Sequence, residues 1–252
     1  MSKKLYTYVI TVDDGKSPCY THGEFSLACC KPQIRRMILK NKLECEKKNK
    51  KPDEVWVAGV RRNKEKNKAM VVFLAKIDDV LKLEEYYDNS EYEGRGDRFY
   101  HNVHTIFTNG GLPETLSEEI IKKECKNIYA DKENEHGRLS KGGKMTDNQR
   151  RDIYGASVLL SKHFDHCMAY DDVWELTNRL SGALGEVLDG YMEVNRRIYH
   201  SFDSWTDFDK AVKNINLSVH KGLKGFDEKG GGCDGGCDKK SKKKKKPTCG
   251  CC

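Results

Sequence analysis

Residues 26–38, SLACCKPQIRRMI, constrain this chain more than any other stretch, because they join a strand-like segment to a helix within a few residues. Pro32 suits the first turn of that helix, where a missing N–H costs nothing. Lys31, Arg35 and Arg36 then flank a helix N-terminus that already favours anions, so the junction reads as a phosphate or carboxylate corner.

A chain of 252 residues can bury one substantial core or two small ones. Apolar residues make up 37% and charged residues 34%, which favours the soluble class. No run approaches the roughly 20 apolar residues of a membrane span. The opening MSKKLYTYVITVDDG turns acidic too soon for a secretory signal, so an intracellular protein, cytoplasmic or nuclear, is expected. The formal charge is +7, but from residue 229 onward eight Lys face only Asp234 and Asp238. The body ahead of that tail is nearly neutral, and overall basicity is no argument for nucleic-acid binding by it. Five of the 11 cysteines follow residue 232, and a bridge between the adjacent Cys29 and Cys30 would be strained, so the body thiols are expected to be reduced.

Alternation and composition predict strands over 6–12, 54–60, 69–77 and 156–161, with a water-facing hairpin tip at RRNKEKNK. A basic amphipathic helix is expected over 33–43, a charged loop over 45–53, and short helices from 81 and from Ser117. The polar stretch 131–152 reads as a mobile insertion. Beyond Asp171 the period becomes helical through Leu176, Leu180 and Leu184, and a second helix opens near Ser204 and Asp207. The organisation expected is a domain over 1–168, a helical region over 169–228 and a disordered Gly/Lys/Cys tail over 229–252.

Four blocks stand in order: DDGKSPCYTHG, SLACCKPQIRR, GRGDRFYH and VLLSKHF. Together they resemble the nucleotide modification associated domain family, type two, over roughly residues 5–168. The resemblance implies recognition or processing of a nucleotide or modified nucleobase in a nucleic-acid modification system. By analogy with the PUA and EVE group, the fold expected is α+β: a PUA-like mixed β-barrel with flanking helices, a C-terminal helical pair and the basic Cys-containing tail.

On that reading Lys31, Arg35 and Arg36 contact phosphate, Asp14 and Asp97 meet polar base edges, and Tyr100 stacks on a ring face. Trp56 is the other stacking candidate, though its apolar strand favours the core. A thiol- or histidine-dependent nucleotide-modifying enzyme is the alternative, with Cys30, Asp97 and His163 as candidate catalytic groups. Cys29 and Cys30 alternate in direction if the strand continues, so one of them is expected to face the core and the other the pocket. The spacings His101–His104 and His163–His166 lack a recognisable third ligand, so no metal or other cofactor is expected. The tail ends KKSKKKKKPTCGCC, pairing lysines with Cys251 and Cys252, the two-signal pattern of a lipidated anchor on an anionic membrane. A peripheral membrane adaptor is therefore a third reading. Oligomeric state is not legible.

Overall fold

Three apolar runs build the frame of the computed structural model, which describes residues 2–10, 18–20, 23–63, 68–98, 147–166, 177–178, 180, 184, 199–200 and 205–213. They are β1 (Lys3–Val9), β3 (Glu54–Asn63) and β4 (Lys68–Ile77), whose Val, Tyr, Trp and Phe side chains suit a pleated surface. Between the first two lie β2 (Phe25–Leu27) and α1 (Pro32–Lys47). After β4 come β5 (Asp79–Lys82), α2 (Leu83–Asp88) and a 3-10 turn at Ser90–Tyr92. The chain continues with α3 (Asp147–Gly155), β6 (Ser157–Ser161), β7 (His163–His166), β8 (Tyr199–His200) and α4 (Thr206–Lys213).

β1 and β3 pair in parallel, from Lys3 opposite Glu54 to Val9 opposite Val60. A parallel pair needs a crossover, and the segment through β2 and α1 supplies it. The larger sheet runs β7-β4-β3-β1-β8 and the smaller runs β2-β6-β5. Two strands pass from one sheet to the other: β4 enters β5 through Asp78, and β6 enters β7 through Lys162. Asp78 pins that corner, donating its N–H to the Leu160 carbonyl at 2.9 Å and accepting the Lys162 N–H at 2.7 Å.

The main core fills the space between the sheets and α1. Phe25, Phe73, Phe164 and Tyr20 meet there with Ile34, Ile38 and Leu39. Phe25 and Phe73 lie 5.2 Å apart, an ordinary aromatic pairing distance. A Cβ at Gly59 would fall on the Phe73 ring, which explains glycine inside an otherwise branched strand. The opposite face of the larger sheet packs Leu5, Trp56, Ala58 and Leu74 against Leu180, Leu184 and Phe208. Trp56 is core: its ring stands edge-on to Phe208 at 5.3 Å and its Nε1–H donates to Glu54.

The architecture is mixed α and β with two sheets, and among the described residues they do not close into the expected barrel. β2 is only three residues long, and its outer edge meets Cys19 through a single bridge, while the outer edge of β1 is taken by β8. Among the described residues no continuous ladder joins them. The stretch 131–152 also ends differently from expectation, because its last residues begin α3 and Gln149 and Asp152 are buried. α1 runs past residue 43 to Lys47, and Leu81 and Lys82 are strand rather than helix. The predicted helix from Ser117 and the tail lie outside the described residues. No helix among the described residues is long and apolar enough to cross a membrane.

Candidate functional site

The chain turns from β2 into α1 through two left-handed residues, Cys30 at φ 57° and Lys31 at φ 43°. Side chains bearing a Cβ resist that conformation, so the turn must be held from outside. The Cys30 N–H donates to Asp152 Oδ1 at 2.5 Å, and the Cys30 carbonyl accepts from Arg35 Nε at 2.8 Å. Pro32 occupies the first turn, as expected. Lys31 is the N-cap residue, and a lysine ammonium has no acceptor, so its side chain makes no capping bond. That ammonium instead sits 5.0 Å from the centre of the Tyr8 ring. The Arg36 guanidinium lies 4.5 Å from the centre of the Tyr154 ring, with burial pulling its pKa below the usual value. Two cations on aromatic faces thus stand beside a helix N-terminus.

Arg35, expected on phosphate, is fully buried instead. Its Nη1–H donates to the Ser157 carbonyl at 2.6 Å and its Nη2–H to the Asp152 carbonyl at 2.7 Å, so the guanidinium ties α1 to α3 and β6. Asp152 supplies the compensating charge at 3.8 Å. A Cβ at Gly155 would fall on that guanidinium, which reserves this position for glycine. The left-handed residue at the end of α3 is Ala156, at φ 58°.

Asp97, expected on base edges, is 1% exposed beneath the smaller sheet. Its carboxylate accepts the Ser26 hydroxyl at 2.6 Å and the Tyr86 hydroxyl at 2.7 Å. Arg95 donates to Ser26 Oγ at 2.8 Å, to the Glu24 carbonyl at 2.8 Å and to the Glu24 carboxylate at 3.3 Å. Burial, then the Asp97 charge, pushes the Tyr86 phenol far up; burial also raises Glu24 against the pull of Arg95. Cys29 adjoins this network. A hydrogen bond with the Cys30 side chain, then full burial and the carboxylates of Asp152 and Asp97, hold its thiol well above the ordinary value. Cys29 is a protonated core group, while Cys30 is half-buried. Cys19 is buried and Cys45 half-buried, and no disulfide joins the cysteines among the described residues.

His163 stands at the sheet corner, with Nδ1 at 2.9 Å from both oxygens of Asp78. Asp14, Tyr100, His101, His104, Cys251 and Cys252 lie outside the described residues, and of His166 only the strand position is described. Among the described residues no three His, Cys, Asp or Glu side chains are grouped to hold a metal. The motif blocks do meet, but largely below the surface: Ser26 reaches Asp97 and Arg95, and Arg35 reaches Ser157. Sequence reasoning missed Asp152, Arg95, Tyr86 and Asp78. Arg95 stands between two glycines in the sequence, and nothing local in that pattern gives its burial.

These features define a mixed α/β domain of two sheets, with a cation- and ring-lined helix N-terminus braced by buried polar groups. The chain belongs to the family nucleotide modification associated domain 2, whose model matches residues 2–213 and so takes in α4. No curated protein matches the chain, and no solved structure does. Membership suggests a role in nucleotide modification systems.

Proposed function

We propose that the protein recognises or processes a nucleotide or modified nucleobase within a nucleic-acid modification system, with a phosphate held at the N-terminus of α1. The observation that carries this reading is the pairing of Lys31 on Tyr8 and Arg36 on Tyr154 beside a helix start that Lys31 cannot cap. Lys31 and Arg36 supply charge, and Arg35 and Asp152 act as positioning residues that hold the strained Cys30–Lys31 turn. Asp14 and Tyr100 belong to this proposal as base contacts. The analogy with PUA-like readers of modified bases is part of it too, drawn from two sheets joined where β4 leads into β5 and β6 into β7.

Of the two adjacent thiols Cys29 is unsuited to attack, being fully buried and raised, so a thiol enzyme would have to use the half-buried Cys30. A histidine-dependent enzyme draws on one observation, the Asp78 carboxylate that fixes Nδ1 of His163 as an orienting group would. Titration calorimetry with deoxynucleoside monophosphates tests the main reading. Lys31→Ala with Arg36→Ala should weaken binding at least about tenfold, from two charge-assisted contacts. Unchanged affinity would remove its support.

A further inference from the structure

The near-neutral body conceals a segregation of charge. Residues 31–51 hold nine Lys and Arg against only Glu44 and Glu46, a net of +7 that equals the formal charge of the whole chain. The remainder of the body is therefore net acidic, and the cations are gathered on α1 and the loop that leads to β3. The structure sorts these cations by task. Arg35 points into the core, and Lys42 reaches Asp79 at 3.1 Å and the Val80 carbonyl at 2.8 Å. Lys40, Lys47, Lys48, Lys50 and Lys51 are exposed. The nearest carboxylate to Lys40 is the exposed Glu44 at 3.9 Å, a contact of the kind worth well under 1 kcal/mol.

Lys40 and Lys47 lie two turns apart on one side of α1, about 10 Å by helix rise, and the exposed Lys48, Lys50 and Lys51 follow at its C-terminal end. The charges therefore form a ridge that leads away from the Lys31–Arg36 corner. A helix that lies in a membrane surface needs an apolar face toward the lipid. The apolar face of α1 is spent on the core through Ile34, Ile38 and Leu39, and only Met37 is exposed among the described large apolar side chains. A polyanion without a hydrocarbon phase is the matching partner.

We propose that this ridge is a track for the backbone of polymeric nucleic acid, so that the α1 corner meets its nucleotide within a strand rather than free. This inference rests on the function proposed above. In the full chain, duplex DNA of about 20 base pairs should bind with a steep salt dependence, each phosphate contact adding about 0.9 to the slope. Changing Lys40, Lys47, Lys48, Lys50 and Lys51 to Gln should remove about 4 from that slope. A second variant with the five lysines at 242–246 changed to Gln separates the contribution of the tail. A ridge variant that keeps the slope within about 1 of the starting protein overturns the track. So does a ridge variant that stops binding phosphatidylserine vesicles while duplex binding persists. Deoxynucleoside monophosphate binding, measured on the same ridge variant, should be unchanged. If the slope does not move yet that binding depends on Lys31 and Arg36, the track falls and the corner stands.

Discussion

Ser26 and Asp97 are 71 residues apart in the chain, yet the serine hydroxyl donates to the buried carboxylate at 2.6 Å. This bond joins two of the motif blocks, and it makes Asp97 the anchor of Tyr86 and the Arg95–Ser26 pair. Asp97→Ala would leave the buried Ser26 and Tyr86 hydroxyls without their carboxylate acceptor and remove a negative charge near the Arg95 guanidinium, whose ion pair is with Glu24. A loss of about 3–5 kcal/mol is expected in denaturant unfolding. Asp97→Asn keeps the shape and should cost less, and equal losses in the two variants would argue against the charge as the cause.

Arg35 makes the parallel prediction at the other end of β2. Arg35→Lys keeps the charge but cannot serve the Cys30, Ser157 and Asp152 carbonyls together, so most of the stability lost in Arg35→Ala should also be lost in the lysine variant. Gly155→Ala should destabilise by about 1–3 kcal/mol through overpacking on the same guanidinium. Full tolerance at Gly155 would show that the arginine is not held there.

Cysteine reactivity tests the arrangement of the two adjacent thiols. Under native conditions iodoacetamide should label the half-buried Cys30 well before Cys29, whose thiol is enclosed and raised. Peptide mass spectrometry reads the order. Faster labelling of Cys29 would mean that the pair is not arranged as described.

Stability should fall on the acid side through Asp53 and Glu54. Burial alone would raise both, but bonds from Lys4, Ser2 and Asn41 hold Asp53 below its ordinary 3.8. The Trp56 indole with Lys76 and Lys3 holds Glu54 below 4.5. A carboxyl depressed in the fold contributes stability above its unfolded pKa, and that contribution is lost as pH falls through the folded value. Unfolding measured from pH 6 to pH 2 should show a loss beginning near pH 4–5. Asp53→Asn with Glu54→Gln should flatten that limb.

The frame of this fold was legible from side-chain period alone. β3, β4 and β6 follow runs such as VWVAGV and VVFLA, where branched and aromatic residues leave little choice of element. Pro32 marked the start of α1 for a reason as local as its missing N–H. The sheet corner was not legible, because Asp78 and Lys162 are single polar residues whose role depends on two strands crossing together. Which of the candidate side chains are buried was not legible for the same reason. Arg35 and Arg36 are adjacent and chemically alike, and only the helix register decides that one enters the core while the other lies on Tyr154. Asp97 looked like a turn residue beside glycine, and nothing local announces that Ser26 and Tyr86 enclose it.

The central claim, a phosphate seated where β2 turns into α1, is tested most directly by backbone amide NMR on the full chain as a deoxynucleoside monophosphate is added. The account predicts that the largest shifts fall on the Gln33 and Ile34 amides of the first helical turn and vanish in Lys31→Ala with Arg36→Ala. Shifts confined to other surfaces, such as α4, or shifts at Gln33 and Ile34 that persist in the double variant, would contradict it.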